Sequence, residues 1–147
     1  MVTVTNFHEG GCLCGAVRYR ADGEPLRVSV CSCTACQRRT GSLAGFGAYF
    51  NAGQVRILRG ELKSYEHRSD ESGRWLRFEF CPTCGTPVTW TAEVFPGMRA
   101  IGVGTLDEPK RIKPQRFSWL RSAHPWLTPP EGVEALQQGT LPAAKNP

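Results

Sequence analysis

Three cysteines fall within six residues, Cys31-Ser32-Cys33-Thr34-Ala35-Cys36, the densest run of reactive side chains in the sequence. In an extended segment Cys31 and Cys33 point the same way, and in a helical turn Cys33 and Cys36 are neighbours. A strand running into a tight turn therefore aims all three sulfurs at one atom. Thiolates so arranged suit zinc, which they bind tetrahedrally at about 2.3 Å, and three protein ligands leave one coordination position for a substrate. A zinc bearing three thiolates is a weak Lewis acid. It is poor at making hydroxide and well suited to keeping a fourth thiol ionised and nucleophilic.

Four more cysteines stand in two pairs. Cys12-Leu13-Cys14 lies between Gly10-Gly11 and Gly15, and Cys81-Pro82-Thr83-Cys84-Gly85 reads as a zinc knuckle. Proline presets the turn, the two sulfurs converge, and Gly85 permits the positive φ that turns amides towards sulfur. A closed structural site takes four ligands and a catalytic one three plus a substrate, so seven thiols divide naturally as four and three. On that division Cys12, Cys14, Cys81 and Cys84 clamp distant parts of the chain, and Cys31, Cys33 and Cys36 form the reactive set. Three alternatives remain open at this point. Cys81 and Cys84 could join two members of the first cluster, a histidine such as His67 could close the three-cysteine set, or the thiols could hold an iron–sulfur cluster. His8, His67 and His124 all lack ligand spacing to a cysteine. Disulfides are disfavoured by the odd count and by the poor shape of Cys-x-Cys pairs.

The elements that must position these thiols read as short strands. Val17, Tyr19 and Ala21 alternate with Arg18 and Arg20; Leu26, Val28 and Val30 alternate into Cys31. These two runs, joined by Asp22-Gly23-Glu24-Pro25, are expected to pair antiparallel. A short helix is expected after Cys36, through Gln37-Arg38-Arg39-Thr40, with Gly41 as its stop. The glycine-rich stretch from Gly41 to Gly47 fits no phosphate-binding fingerprint. Further strands are expected at 46–50, 54–59, 61–67, 74–80, 86–93 and 98–104, which argues for an all-β domain. Phe117, Trp119 and Trp126 suit packing rather than a cofactor box. The expected organisation is a lead-in over 1–9, one domain over 10–130, and a short helical stretch at 131–138 followed by a disordered tail to 147.

Composition narrows the function classes. A chain of 147 residues with 40% hydrophobic and 21% charged residues fits one globular domain. Residues 1–73 carry nine basic and seven acidic residues and 74–147 carry nine and six, so the net charge of +5 is even along the sequence. No basic block exceeds two residues, which argues against a nucleic-acid stripe and leaves a small anionic substrate or an ordinary solvated surface. No apolar run reaches the length of a membrane span. Met1 to Asn6 lacks the basic and apolar character of a secretory leader, so a reducing, cytoplasmic setting is the expectation.

Taken together, Gly10-Gly11-Cys12-x-Cys14-Gly15, Cys31-x-Cys33-x-x-Cys36, Cys81-x-x-Cys84-Gly85 and Gly104-Thr105-Leu106-Asp107 resemble the glutathione-dependent formaldehyde-activating enzyme family, which also includes centromere protein V. The resemblance spans Gly10 to Pro130. It implies a mainly β fold, a β-tent of antiparallel sheets, with two zinc ions per chain. One is structural, on Cys12, Cys14, Cys81 and Cys84, and the other catalytic, on Cys31, Cys33 and Cys36. It also implies a carbon–sulfur lyase that adds a thiol, glutathione, to formaldehyde to give S-(hydroxymethyl)glutathione. Ser32 departs from the histidine the family often places there and leaves the metal ligands untouched. Arg38 and Arg39, just after Cys36, are candidates to offset the site's negative charge and to receive glutathione carboxylates. The partners expected are a small thiol and a small aldehyde, without membrane or nucleic acid, and with room for a homodimer. The alternative is a non-catalytic zinc-clamped module that binds a protein or nucleic-acid partner.

Overall fold

Period-two burial shapes the first two strands: His8 and Gly10 of β1 (Phe7–Gly11) and Tyr19 and Ala21 of β2 (Arg18–Asp22) point inward. After them come β3 (Arg27–Cys31), α1 (Thr34–Thr40), β4 (Gly45–Asn51), β5 (Val55–Arg59), β6 (Lys63–Arg68), β7 (Trp75–Phe80), β8 (Pro87–Ala92), β9 (Met98–Gly102), β10 (Arg116–Ser118) and β11 (Glu134–Ala135). The computed structural model describes residues 6–139 apart from Glu71. The fold is mainly β, with 42% strand and 14% helix. Within the span expected as one domain, the chain groups into two compact units. The first takes 6–27 and 48–112, and the second takes 28–47 and 113–139.

In the first unit β1, β2 and β5 form an antiparallel sheet in that order, and β9, β8, β7 and β6 form an antiparallel run in the order given. Val17, Tyr19, Val88, Ile101 and Val103 are fully buried in this unit's core. Each such side chain contributes about 1.5–3 kcal/mol over an exposed one. Phe78, Trp90 and Ala100 pack together, and the Trp90 indole donates to the Tyr49 hydroxyl at 3.1 Å. Tyr19 reaches Thr105 Oγ1 at 2.7 Å, and a Cβ on Gly10 would collide with both partners, so β1 can pass there only as glycine.

The second unit differs from the expectation of purely antiparallel pairing. β10 pairs parallel with β3, Ser118 lying opposite Cys31, and β11 pairs parallel with β10. α1 follows β3 directly and ends at Gly41, whose φ of 64° reverses the chain. β4 then carries the chain from this unit into the first.

Three local expectations change. Phe7 to Glu9, expected in the lead-in, begin β1. β2 and β3 are not a pair: β2 lies between β1 and β5, while Leu26 donates its amide to Tyr49 and leads the chain away. The stretch 131–138 is not helical. Gly132 has a φ of 82°, and the carbonyls of Leu136 and Gln138 accept from Leu120 and Trp119 instead of bonding along their own segment. The tail expected at 141–147 lies outside the described residues, as do residues 1–5.

Candidate metal centres

The turn joining β1 to β2 and the turn joining β7 to β8 carry the four paired cysteines. Gly15, at φ 81°, closes the first with its amide on the Cys12 carbonyl; Gly85, at φ 77°, closes the second with its amide on the Cys81 carbonyl. The two turns bring Cys12, Cys14, Cys81 and Cys84 together with every pair of sulfurs within 4.8 Å. Cys12 and Cys14 are 3.6 Å apart, and Cys14 and Cys81 3.8 Å. A tetrahedron of thiolates about a metal at 2.3 Å has edges of about 3.8 Å. Disulfide sulfurs would stand at about 2.05 Å, and all seven thiols are free. The donor set and its spacing fit a zinc ion.

Thr86 joins the two turns, a role no motif in the sequence signals. Its hydroxyl accepts from the Leu13 amide at 3.1 Å and lies 3.1 Å from Cys84 Sγ. With the lone pair engaged by Leu13, the hydroxyl hydrogen is available to the sulfur. That hydroxyl, with the Thr86 amide, holds the Cys84 thiol down at about 5. The Ala16 amide favours a thiolate at Cys14, but the Cys12 sulfur and burial push its pKa up to about 11. The Val17 amide donates to Cys12 Sγ at 3.2 Å.

The second set stands where β3 runs into α1. Cys31 ends the strand, Cys33 caps the helix by accepting the Cys36 amide at 3.3 Å, and Cys36 lies in the first turn. Their sulfurs also lie within 4.8 Å of one another. Neither His8, His67 nor His124 belongs to either group among the described residues, and no member of the first set joins the second. The four-and-three grouping is therefore the one the folded chain presents.

The arm bearing these thiols is braced from both sides. Ser32 donates its amide to the Ser118 carbonyl at 3.0 Å, and the Gln37 amide group donates to the carbonyls of Ser32 at 2.8 Å and Ser122 at 2.9 Å. Neither Gln37 nor Ser122 stood out in the sequence. Ser32 is fully buried between the ligands. Of the two arginines expected beside the site, Arg38 is exposed and Arg39 is half-buried.

A profile of the glutathione-dependent formaldehyde-activating enzyme family matches residues 7–122. The chain belongs to that family. The match takes in both cysteine sets and the Gly104-Thr105-Leu106-Asp107 stretch. A crystal structure of a Rhodobacter sphaeroides protein, a structural-genomics target, is also similar, with 27% identity and a TM-score of 0.54 over 67% of this chain and 87% of that one. Membership supports a formaldehyde-activating, glutathione-dependent function in general terms.

Proton sharing in the family member's three-cysteine set is uneven. Hydrogen bonds from the Cys31 and Cys36 thiols hold Cys33 at about 3, sharing with Cys33 pushes Cys31 up to about 11, and sharing with Cys31, then with Cys33, pushes Cys36 well above the usual thiol range. One thiolate is thus stabilised by two thiols. Three soft donors on one point, with no fourth histidine, cysteine or carboxylate in the group among the described residues, fit zinc with a position left for an exogenous ligand.

Proposed function

We propose that the protein is a zinc-dependent carbon–sulfur lyase-type enzyme that joins a small thiol, glutathione, to formaldehyde or a similar small aldehyde. The observation that carries this is the convergence of Cys31, Cys33 and Cys36 without a fourth protein ligand among the described residues, beside a complete four-cysteine set elsewhere in the chain. One zinc on each set is part of the proposal, the four-cysteine ion structural and the three-cysteine ion catalytic. At the catalytic position zinc supplies a soft site where a substrate thiol is held ionised yet nucleophilic.

The chain's own residues do the rest. Cys31, Cys33 and Cys36 present the donor face, and Ser118, Gln37 and Ser122 keep it rigid, which lowers the reorganisation needed at the moment of reaction. Arg38, exposed on α1 two residues after Cys36, is the residue proposed to meet a substrate carboxylate. The addition forms a bond between thiol sulfur and carbonyl carbon and leaves the thiol proton on the carbonyl oxygen, so no oxidant or reductant is consumed. Because thiols add to formaldehyde unaided, the test follows exchange between free and glutathione-bound formaldehyde at equilibrium by NMR. Exchange is expected to be faster with the protein than with its Cys33→Ser variant. Equal exchange with the two proteins would overturn the proposal.

A further inference from the structure

The glycine-rich stretch after α1 matched no phosphate-binding pattern, yet one of its members has a specific place in the second unit. α1 sets Cys36 and Arg39 three residues apart, on one face. The chain reverses at Gly41 and returns at Gly45 against that same face. A Cβ built on Gly45 would lie 2.9 Å from Arg39 Nη2 and 3.2 Å from Cys36 Sγ. The guanidinium and the thiol therefore border the same small space, and it exists because residue 45 has no side chain. Gly45 is buried, and so is Arg39 Nε.

Charge in this unit has a definite sign. Residues 28–47 and 113–139 contain five basic residues and two acidic ones, Glu131 and Glu134, whereas residues 6–27 and 48–112 contain 12 and 11. Glu134 lies 3.4 Å from Arg116 Nε. Three thiolates around a zinc ion leave the centre anionic, and a substrate thiolate adds a second negative charge. A half-buried cation beside one of the sulfurs acts through little water, where its effect is largest.

We infer that Arg39, seated in the room left by Gly45, is the counter-charge of the three-cysteine centre and sets how tightly that centre holds its metal and an anionic fourth ligand. Arg39 acts on the sulfur side of the site, and the exposed Arg38 is the residue left to meet a substrate's carboxylates. This rests on the zinc reading of Cys31, Cys33 and Cys36 given above.

The test is a zinc competition titration against a chromophoric chelator, with cadmium NMR to separate the two cysteine sets, on the full chain and three variants. Arg39→Gln, which keeps amide donors and loses the charge, is expected to weaken the three-cysteine site by roughly tenfold and leave the four-cysteine site unchanged, the scale expected for an opposite charge at this range. Arg39→Lys is expected to retain most of the affinity. Gly45→Ala, whose methyl displaces the flexible end of Arg39, is expected to behave like Arg39→Gln. If the wild-type chain binds metal at one set only, the proposed function fails before the role of Arg39 is reached. If the wild type binds two ions and Arg39→Gln binds them equally well, the counter-charge is overturned and the proposed function stands. A fall with Arg39→Lys as large as with Arg39→Gln also overturns it, because charge would then not be the property that matters. Should Gly45→Ala fail to fold by circular dichroism, the two arginine variants decide alone.

Discussion

Thr86 ties the two cysteine turns of the first unit through one hydroxyl, accepting from Leu13 and facing Cys84. Removing that hydroxyl with Thr86→Val is expected to lower the melting temperature by an amount corresponding to about 1–2 kcal/mol, since two partners lose their hydrogen bond. The cysteines themselves separate more sharply. Cys12→Ser and Cys84→Ser each take a ligand from a closed set, and are expected to cost several kcal/mol of metal-coupled stability, a large part of the roughly 5–15 kcal/mol that holds such a domain. Cys33→Ser is expected to abolish exchange activity while the melt stays near that of the wild type. Thermal melts of the three purified variants check this. A melt of Cys33→Ser as low as the other two would make the second set structural.

Among the elements, α1 and the strand before it exist in large part to point sulfur. Gln37, on the helix, fixes the Ser32 carbonyl and the Ser122 carbonyl with one side-chain amide. Gln37→Ala is expected to weaken zinc at the three-cysteine set by up to roughly thirtyfold, two hydrogen bonds of about 1 kcal/mol each being lost from the arm, with the four-cysteine set unaffected in the same titration. Much of this arrangement was legible in the sequence. The knuckle at Cys81 and Cys84, the glycine stops at Gly15, Gly41 and Gly85, and the strands from β4 to β9 follow from local chemistry, because turn residues and alternation act over a few positions. The partners of β2, the parallel pairing of β3 with β10, and the strand at Glu134–Ala135 do not. They depend on which edge a strand finds, and an alternating run such as Leu26, Val28, Val30 carries no label for its neighbour. The helix expected at 131–138 failed for the same reason: its carbonyls are taken by Trp119 and Leu120, far away in sequence.

At the scale of the whole molecule each unit holds one cysteine set, and two metal ions of unequal lability are expected. During mild chelation one zinc should leave while the circular dichroism spectrum persists; unfolding in step with loss of the first ion would contradict this. The charge balance also becomes readable only at this scale. Cut at the middle of the sequence it is even, but the second unit is assembled from two separate segments, and its cationic excess appears when they are counted together. In the first unit His8 is 3% exposed, with Nε2 3.9 Å from Glu24 Oε1, and burial, then Arg111, lower its pKa. The folded chain resists protonation that the unfolded chain accepts at about 6.5, so stability is expected to be full above that pH and to fall below it. Melting temperatures of the wild type and His8→Gln between pH 7 and pH 5 check the sign: the wild type should show the steeper fall.

The split construction of the second unit also imposes an order in time. On the ribosome Cys31, Cys33 and Cys36 emerge early, but Ser122, which braces them through Gln37, follows 85 residues after that glutamine. At about 5–20 residues per second the nascent chain carries three unbraced thiols for roughly four to seventeen seconds. The other four cysteines are all present once Cys84 has emerged. On the proposed function, the four-cysteine set can fill while synthesis continues, whereas the three-cysteine set is braced only once Ser122 has arrived, so the ion proposed there is expected to be the later one to be held firmly.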